Sequence, residues 1–375
     1  MIQGLDRVLI VGGGIGGMAT AIALLKRGVQ VDIVEIDPDW KVYGAGLTIT
    51  GPTLRAFRDL GLLDAIAEQG FLSVAAHMHL FDGTLLSAAE QLPIEPGLPS
   101  AGGIMRPKLH QIMSGEVKRL GAHVRLSLTV DALDQSANRV TAQLSDGSRQ
   151  QYDLVVGADG IYSKVRGMVF DRAVQPVYTG QMSWRVVSDR PPDMDVSKFY
   201  FGHENIGGTI PCSQAEVYSF ILHPQPDPRR IPDEEKAGFV RGLLKDFGGD
   251  MARIRDDISD QSSIVQRPFE YALQPLPWHR GRVVLIGDAV HATTAHLASG
   301  AGIAVEDAIV LADELGKAEG RIAEGLVAFE QRRFERCRYV VETSVGICKS
   351  QLEHAPPQEI GMRMAEAMHR LAEQI

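Results

Sequence analysis

The chain has 375 residues, of which 45% are hydrophobic and 23% charged, and its formal net charge is −9 at pH 7. That length suits two domains or one large domain with an insertion, and the balance is that of an ordinary globular protein. The acidic balance, with no basic tract, argues against a nucleic-acid partner, and the longest apolar runs are of strand length, too short to span a membrane. No signal-peptide pattern precedes Arg7, and Cys212, Cys337 and Cys348 are widely spaced without a CxxC pair, so a reducing, cytoplasmic setting is expected. His291 and His296 lack metal-ligand spacing, and no metal is expected.

In chain order, Arg7 to Val11 reads as a short apolar strand, Met18 to Arg27 as a helix ending at Gly28, and "VQVDIVEID" as the strand that closes a βαβ unit. "TLRAFRDLGLLDAIAEQG" reads as one helix stopped by Gly70, residues 71 to 100 as strand and loop, and "PKLHQIMSGEVKRLGA" as helix. Consecutive strands follow, with turns at Asn138 and Asp146-Gly147. From about 176 to 272, "QMSWRVVSD", "SKFYFG", "GGTIPC" and "EVYSFILHP" alternate apolar and polar residues, as an antiparallel sheet with one covered face would, beside a helix in "DEEKAGFVRGLLKDFGG". "GRVVLIGD" returns to the first style, a long helix runs from about Gly302 to Leu315, and residues 321 to 375 are mainly helical with a break around His354 to Pro357. The expected fold is α/β: a Rossmann-like dinucleotide domain (1–70, 101–175 and 276–330), a mainly antiparallel substrate sheet (71–100 and 176–275) and C-terminal helices (331–375).

Gly12, Gly14 and Gly17 fill GxGxxG between the first strand and the first helix. The first glycine serves the tight turn, the second the approach of a pyrophosphate, and the third close helix–strand packing. Glu35 ends the next strand, where a carboxylate accepts bonds from ribose hydroxyls, and the helix start favours phosphate. These features fit FAD and NAD alike.

Later stretches separate the two. "VGADGIYSKVR", with Asp159, Gly160, Ser163 and Arg166, and "GRVVLIGDAVH", with Asp288, resemble the second and third motifs of the single-component FAD-dependent aromatic hydroxylases, the family of para-hydroxybenzoate and salicylate hydroxylases. "IMRPKL" resembles that family's helix start, whose arginine, here Arg106, reaches the FAD. The resemblance implies that Asp159 lies near the pyrophosphate, that Asp288 bonds the ribityl chain or pyrophosphate, and that Lys41 keeps a positive charge where an Arg is usual. It also places Gly300, Ala301 and Gly302 against the flavin, where the N–H groups of a starting helix would face a pyrimidine edge that turns anionic on reduction. Departures fall at Ala292 and Ala295, where the family favours Pro, at Ser299 for Gln and at Pro52 for Asn. Glu306 and Asp307 read mainly as helix-start charge.

The resemblance implies an FAD enzyme for which NADH or NADPH is a transient co-substrate. O2 would then form a flavin C4a-hydroperoxide that hydroxylates a small, acidic phenolic or heteroaromatic ring. A non-phenolic substrate such as a polyketide, or an FAD-binding redox sensor that does not oxygenate, are the alternatives, and the chain would be a monomer or homodimer. For the substrate side, Arg185 is a candidate carboxylate or phenolate partner or else a domain-contact Arg. Thr209 and Pro211 share a face as pocket lining or sheet packing, and Tyr200 and Tyr218 orient a hydroxyl or fill core. His296 either moves a proton near the ring edge or bonds the loop backbone.

Overall fold

A computed structural model describes residues 2–42, 44–90 and 92–375. Four parallel strands, Leu154–Gly157, Arg7–Val11, Gln30–Glu35 and His123–Leu126, lie side by side, extended by Val283–Leu285 in parallel and His279–Arg280 in antiparallel at one edge. Runs such as LVVG and VVL are buried at every residue because helices cover both faces. The Ile15–Leu25 and Gly300–Lys317 helices pack on each other and against this sheet. The first helix starts earlier than the Met18 expected from composition, directly after Gly14.

The seven-stranded second sheet runs, edge to edge, Ile264–Leu273, Val177–Asp189, Glu216–Pro224, Ile206–Pro211, Ser197–Phe201, Ala75–Leu80 and Leu85–Glu90. Only Ser197–Phe201 with Ala75–Leu80 is a parallel pair. Its outer face carries Met182, Trp184 and Val186 into a core shared with Val240, Met251 and Ile254 of the Lys236–Leu243 and Gly249–Asp257 helices. Its inner face looks toward the first domain. A small sheet of Gly46–Thr50, Ala101–Met105 and Phe71–Ser73 fits between the two, tightly enough that a Cβ on Gly46 would lie 2.5 Å from Cys212 Sγ.

Two expectations about elements need correction. The 53–70 stretch is two helices, Gly51–Asp59 and Leu63–Gln69, because Gly61 takes a left-handed conformation (φ +80°) that a continuing helix cannot contain. The expected boundary at 330/331 falls inside one continuous helix, Ile322–Leu352, whose residues Phe329 and Cys337 sit in the main core. The last helix, Pro357–Leu371, packs through Ile360 and Ala367 on Leu297 and Ile347. Among the described residues, no helix is long and apolar enough to cross a membrane.

Candidate active site

The loops that follow Arg7–Val11, Leu154–Gly157 and Val283–Leu285 converge at the C-terminal ends of their strands on one cleft of about 400 Å³. This is where open parallel sheets take their ligands. The three glycines of the first loop have three distinct tasks. A Cβ on Gly12 (φ +104°) would lie 2.4 Å from the Ala158 carbonyl oxygen, and one on Gly17 would lie 2.0 Å from that of Gly12. Both positions are closed by protein. Gly14 lines the cleft, and a Cβ there would meet no protein atom within 4 Å. The missing side chain leaves room for a ligand at the start of the Ile15–Leu25 helix, whose first N–H groups lack intrahelical partners.

Glu35 braces this loop from behind. Its carboxylate accepts the N–H of Gly13 at 2.7 Å and of Asp37 at 2.8 Å, while Trp40 donates its indole N–H to the Gly13 carbonyl at 2.9 Å. Lys41 stands on the exposed side, with its ammonium 2.9 Å from Asp39.

The second loop brings Ala158 and Gly160 to the cleft but turns Asp159 away from it. The Asp159 carboxylate accepts from Ser163 Oγ (2.5 Å) and from the N–H groups of Lys164 and Val165 (2.8 and 3.0 Å), capping the Lys164–Val169 helix. Its side chain holds the turn, and the loop meets the cleft through Ala158 and Gly160. Arg166, buried, donates to the carbonyls of Ile161 and Ala289, each at 2.8 Å, and so ties the second loop to the third.

Asp288 opens the third loop, and its carboxylate faces the cleft. The surrounding protein pushes its pKa up, opposed by His291 and Arg106. Gly287 before it adopts φ +57°, ψ −142°, a conformation open to glycine, and Asp307 fastens the turn that follows. One Asp307 oxygen accepts from the Gly287 N–H (2.9 Å) and from His291 Nε2 (2.6 Å), and the other accepts from Arg333 Nε (2.8 Å). Burial opposes its ionisation, but His291 and Arg333 hold the carboxyl down at about 2. Glu306 completes the network with Arg333 and Arg336. Glu306 and Asp307 are therefore buried ion-pair partners, not solvent-facing charge at a helix start. Asp307, His291 and Cys337 bring three potential metal donors within 4.8 Å of one another, but Arg333 already balances the carboxylate.

Gly300 and Ala301, at the start of the Gly300–Lys317 helix, line the cleft. Gly302 does not. A Cβ there would lie 2.3 Å from Thr53 Oγ1, so this glycine serves close packing on the Gly51–Asp59 helix.

Across the cleft, strand alternation decides which side chains face it. Arg185 lies opposite Phe220, and Val187 opposite Tyr218, on the inner face. Thr209 and Pro211 do share a face, but it is the face of Gly207, whose Cβ would meet Met251 and Phe247 of the outer core. They point away from the cleft, and Ile210 takes the inner position beside Tyr218 and Cys212. Tyr200 is also an outer-core residue, whereas Tyr218 is buried on the inner side. His296 is buried behind the loop it belongs to, with both ring nitrogens hydrogen-bonded to protein, and burial pushes its pKa down to about 4. It cannot shuttle a proton to the cleft.

Sequence reasoning missed Arg267 and Glu270, which line the cleft from the Ile264–Leu273 strand, and His110 at its other end. The alternation of "IVQRPFEYAL" carried a signal for that strand. Arg106 is half-buried, its buried Nε has no protein partner, and burial together with Arg185 and then Arg267 pushes its pKa down to about 10, against the pull of Tyr218 and Asp288. It remains a cation at neutral pH, surrounded by two others.

A glycine-lined helix start, an acidic strand end behind it, an Asp turned into the cleft and an arginine whose buried Nε lacks a protein partner together fit a dinucleotide whose ring system lies between two sheets. The fold and site define an FAD-binding oxidoreductase. Residues 6–344 match the family model described as FAD binding domain, and the chain belongs to that family. It is 35% identical to the 2-heptyl-3-hydroxy-4(1H)-quinolone synthase of Pseudomonas aeruginosa (strain UCBPP-PA14) over 347 residues, covering 90% of this chain and 87% of the relative. It is 30% identical to the aurachin C monooxygenase/isomerase of Stigmatella aurantiaca, covering 91% and 88%. The fold is that of Klebsiella pneumoniae HpxO, solved with FAD and uric acid, at a TM-score of 0.85 and 22% identity over 98% of this chain and 93% of that one. The protein is an FAD-dependent monooxygenase of the single-component aromatic hydroxylase family.

Proposed function

We propose that the enzyme hydroxylates a small aromatic or heteroaromatic substrate bearing an anionic group, drawing electrons from NADH or NADPH and oxygen from O2. The balance is one ring C–H, O2, NAD(P)H and a proton giving the ring hydroxyl, water and NAD(P)+. The observation that carries this reading is the cleft's lining, where Leu47, Pro268 and Phe269 present apolar surface and Arg106, Arg185 and Arg267 bring three guanidiniums within Coulomb range. On a chain of net charge −9 such a cluster concentrates anions locally. Bound FAD supplies the two-electron and oxygen chemistry. The chain positions the ring against the inner face, pairs its anionic group with Arg185, and excludes water by closing the cleft between the two sheets. The quinolone named in one relative is a heteroaromatic ring, which supports a ring substrate here.

The test is turnover of a panel of phenolic, quinolone and heteroaromatic acids under ¹⁸O2, read by mass spectrometry. One heavy oxygen in the product of at least one compound is expected. NAD(P)H oxidation with no labelled product from any compound would overturn the reading.

A further inference from the structure

The 293–299 loop presents Thr293, Thr294, Ala295 and Ala298 to the cleft, yet its firmest anchor points the other way. His296 is 7% exposed, with Nδ1 2.9 Å from Thr294 Oγ1 and Nε2 2.9 Å from Gln181 Oε1 and 3.0 Å from Gln351 Oε1. An amide oxygen only accepts, so Nε2 carries the proton and Nδ1 accepts from the threonine hydroxyl. Gln181 also donates its amide to Gln351 Oε1 at 3.1 Å. The partners come from three elements: the loop itself, the Val177–Asp189 strand that carries Arg185, and the end of the Ile322–Leu352 helix. Phe269 meets the imidazole edge-on at 5.2 Å, and the next residue, Leu297, packs on Ile347, Ile360 and Ala367.

The loop needs such an anchor. Ala298, a non-glycine residue at φ +46°, occupies the left-handed region, which persists only where the surroundings enforce it. Ala295, first residue of the Ala295–Leu297 3₁₀ turn, follows an extended Thr294 (φ −69°, ψ 160°), and its backbone has no ring to stiffen it.

We propose that His296 is a positioning residue whose neutral imidazole pins the back of the 293–299 loop to the substrate sheet and the C-terminal helices, fixing the loop face that meets flavin and substrate. This rests on FAD occupying the cleft, and its turnover consequence rests also on the proposed ring hydroxylation.

The test uses FAD-loaded protein. His296→Phe keeps a ring against Phe269 and removes the three hydrogen bonds. Gln351→Leu removes one acceptor at a half-buried site and carries the same comparison if the first variant does not fold. FAD affinity should stay within about threefold of wild type, because Asp288 and the glycine loop are untouched. Bound-flavin fluorescence should rise, and product formed per NAD(P)H should fall about fivefold or more as the loop loses its position. Adding Ala295→Pro to His296→Phe, which stiffens the loop by a different means, should return both signals toward wild type. Unchanged flavin fluorescence in both variants would overturn the proposal, as would a change that Ala295→Pro leaves untouched. If wild type yields no product with any ring compound, the proposed ring hydroxylation fails alone, and the fluorescence comparison still decides the role of His296.

Discussion

The two sheets that meet at the cleft build their halves of it differently. The parallel sheet contributes backbone: Gly14, Gly160, Gly300 and the turn through Gly287, with Asp288 as its one projecting carboxylate. The antiparallel sheet contributes side chains, and each is committed by the parity of its strand position, as Arg185 is inward and Trp184 outward. Backbone sites tolerate almost no change where protein closes on them. Side-chain sites can change specificity while the fold stands.

Substitutions can break or sharpen this contrast, and the largest effect should come from the glycine loop. Gly17→Ala drives a Cβ to within 2.0 Å of a backbone oxygen and should destabilise the apoprotein by about 3 kcal/mol or more, whereas Gly14→Ala should leave apoprotein stability unchanged and weaken FAD alone. Thermal unfolding without FAD, alongside FAD titration, separates the two. Asp288→Ala should raise the FAD dissociation constant roughly 10- to 100-fold, the worth of a charge-assisted bond, measured by titrating apoprotein with FAD. On the other sheet, Arg185→Met should raise KM for the anionic substrate about tenfold or more with FAD content unchanged. Thr209→Val, which replaces a buried hydroxyl without a protein partner on the outer face, should leave KM within about twofold. Equal KM effects at Arg185 and Thr209 would erase the distinction between the inner and outer faces. The smallest effect should be Ala295→Pro in the wild type. Thr294 is already extended and Ala295 is the first turn residue, so unfolding temperature should rise by the equivalent of about 0.4–1 kcal/mol.

Acid sensitivity follows from two buried groups. His296 is held neutral in the fold down to about pH 4, so the unfolded chain binds its proton first and stability falls as pH drops from about 6.5 toward 4. Asp307, depressed to about 2, adds a further loss as pH falls below about 4. In His296→Phe the upper part of that decline should shrink, as denaturant midpoints at each pH would show.

The same contrast explains what was legible in the sequence. Gly12, Gly14 and Gly17 could be read directly because local backbone demands restrict the residue types that fit, whereas Arg106 and Asp288 enter through motifs that resemble a family's. Asp159 was assigned to the cofactor because its neighbours match a motif. The helix-capping signal that places its carboxylate, with Ser163 and the N–H groups of Lys164 and Val165, lies in the same few residues. Gly302 gave no local sign that Thr53, some 250 positions earlier, would press against it. Thr209 and Pro211 show the limit of periodicity, which reports that two residues share a face and leaves open which layer covers it. His296 faces its partners only after strand, loop and helix have assembled, so no spacing could have announced it.

The most direct single measurement is anaerobic reduction of the bound FAD by NADH and by NADPH, with and without each compound of an aromatic acid panel. The account requires one class of anionic ring compound to change the reduction rate strongly and Arg185→Met to diminish that response. Equal reduction with every compound, in wild type and variant alike, would contradict a cleft built for an anionic aromatic substrate.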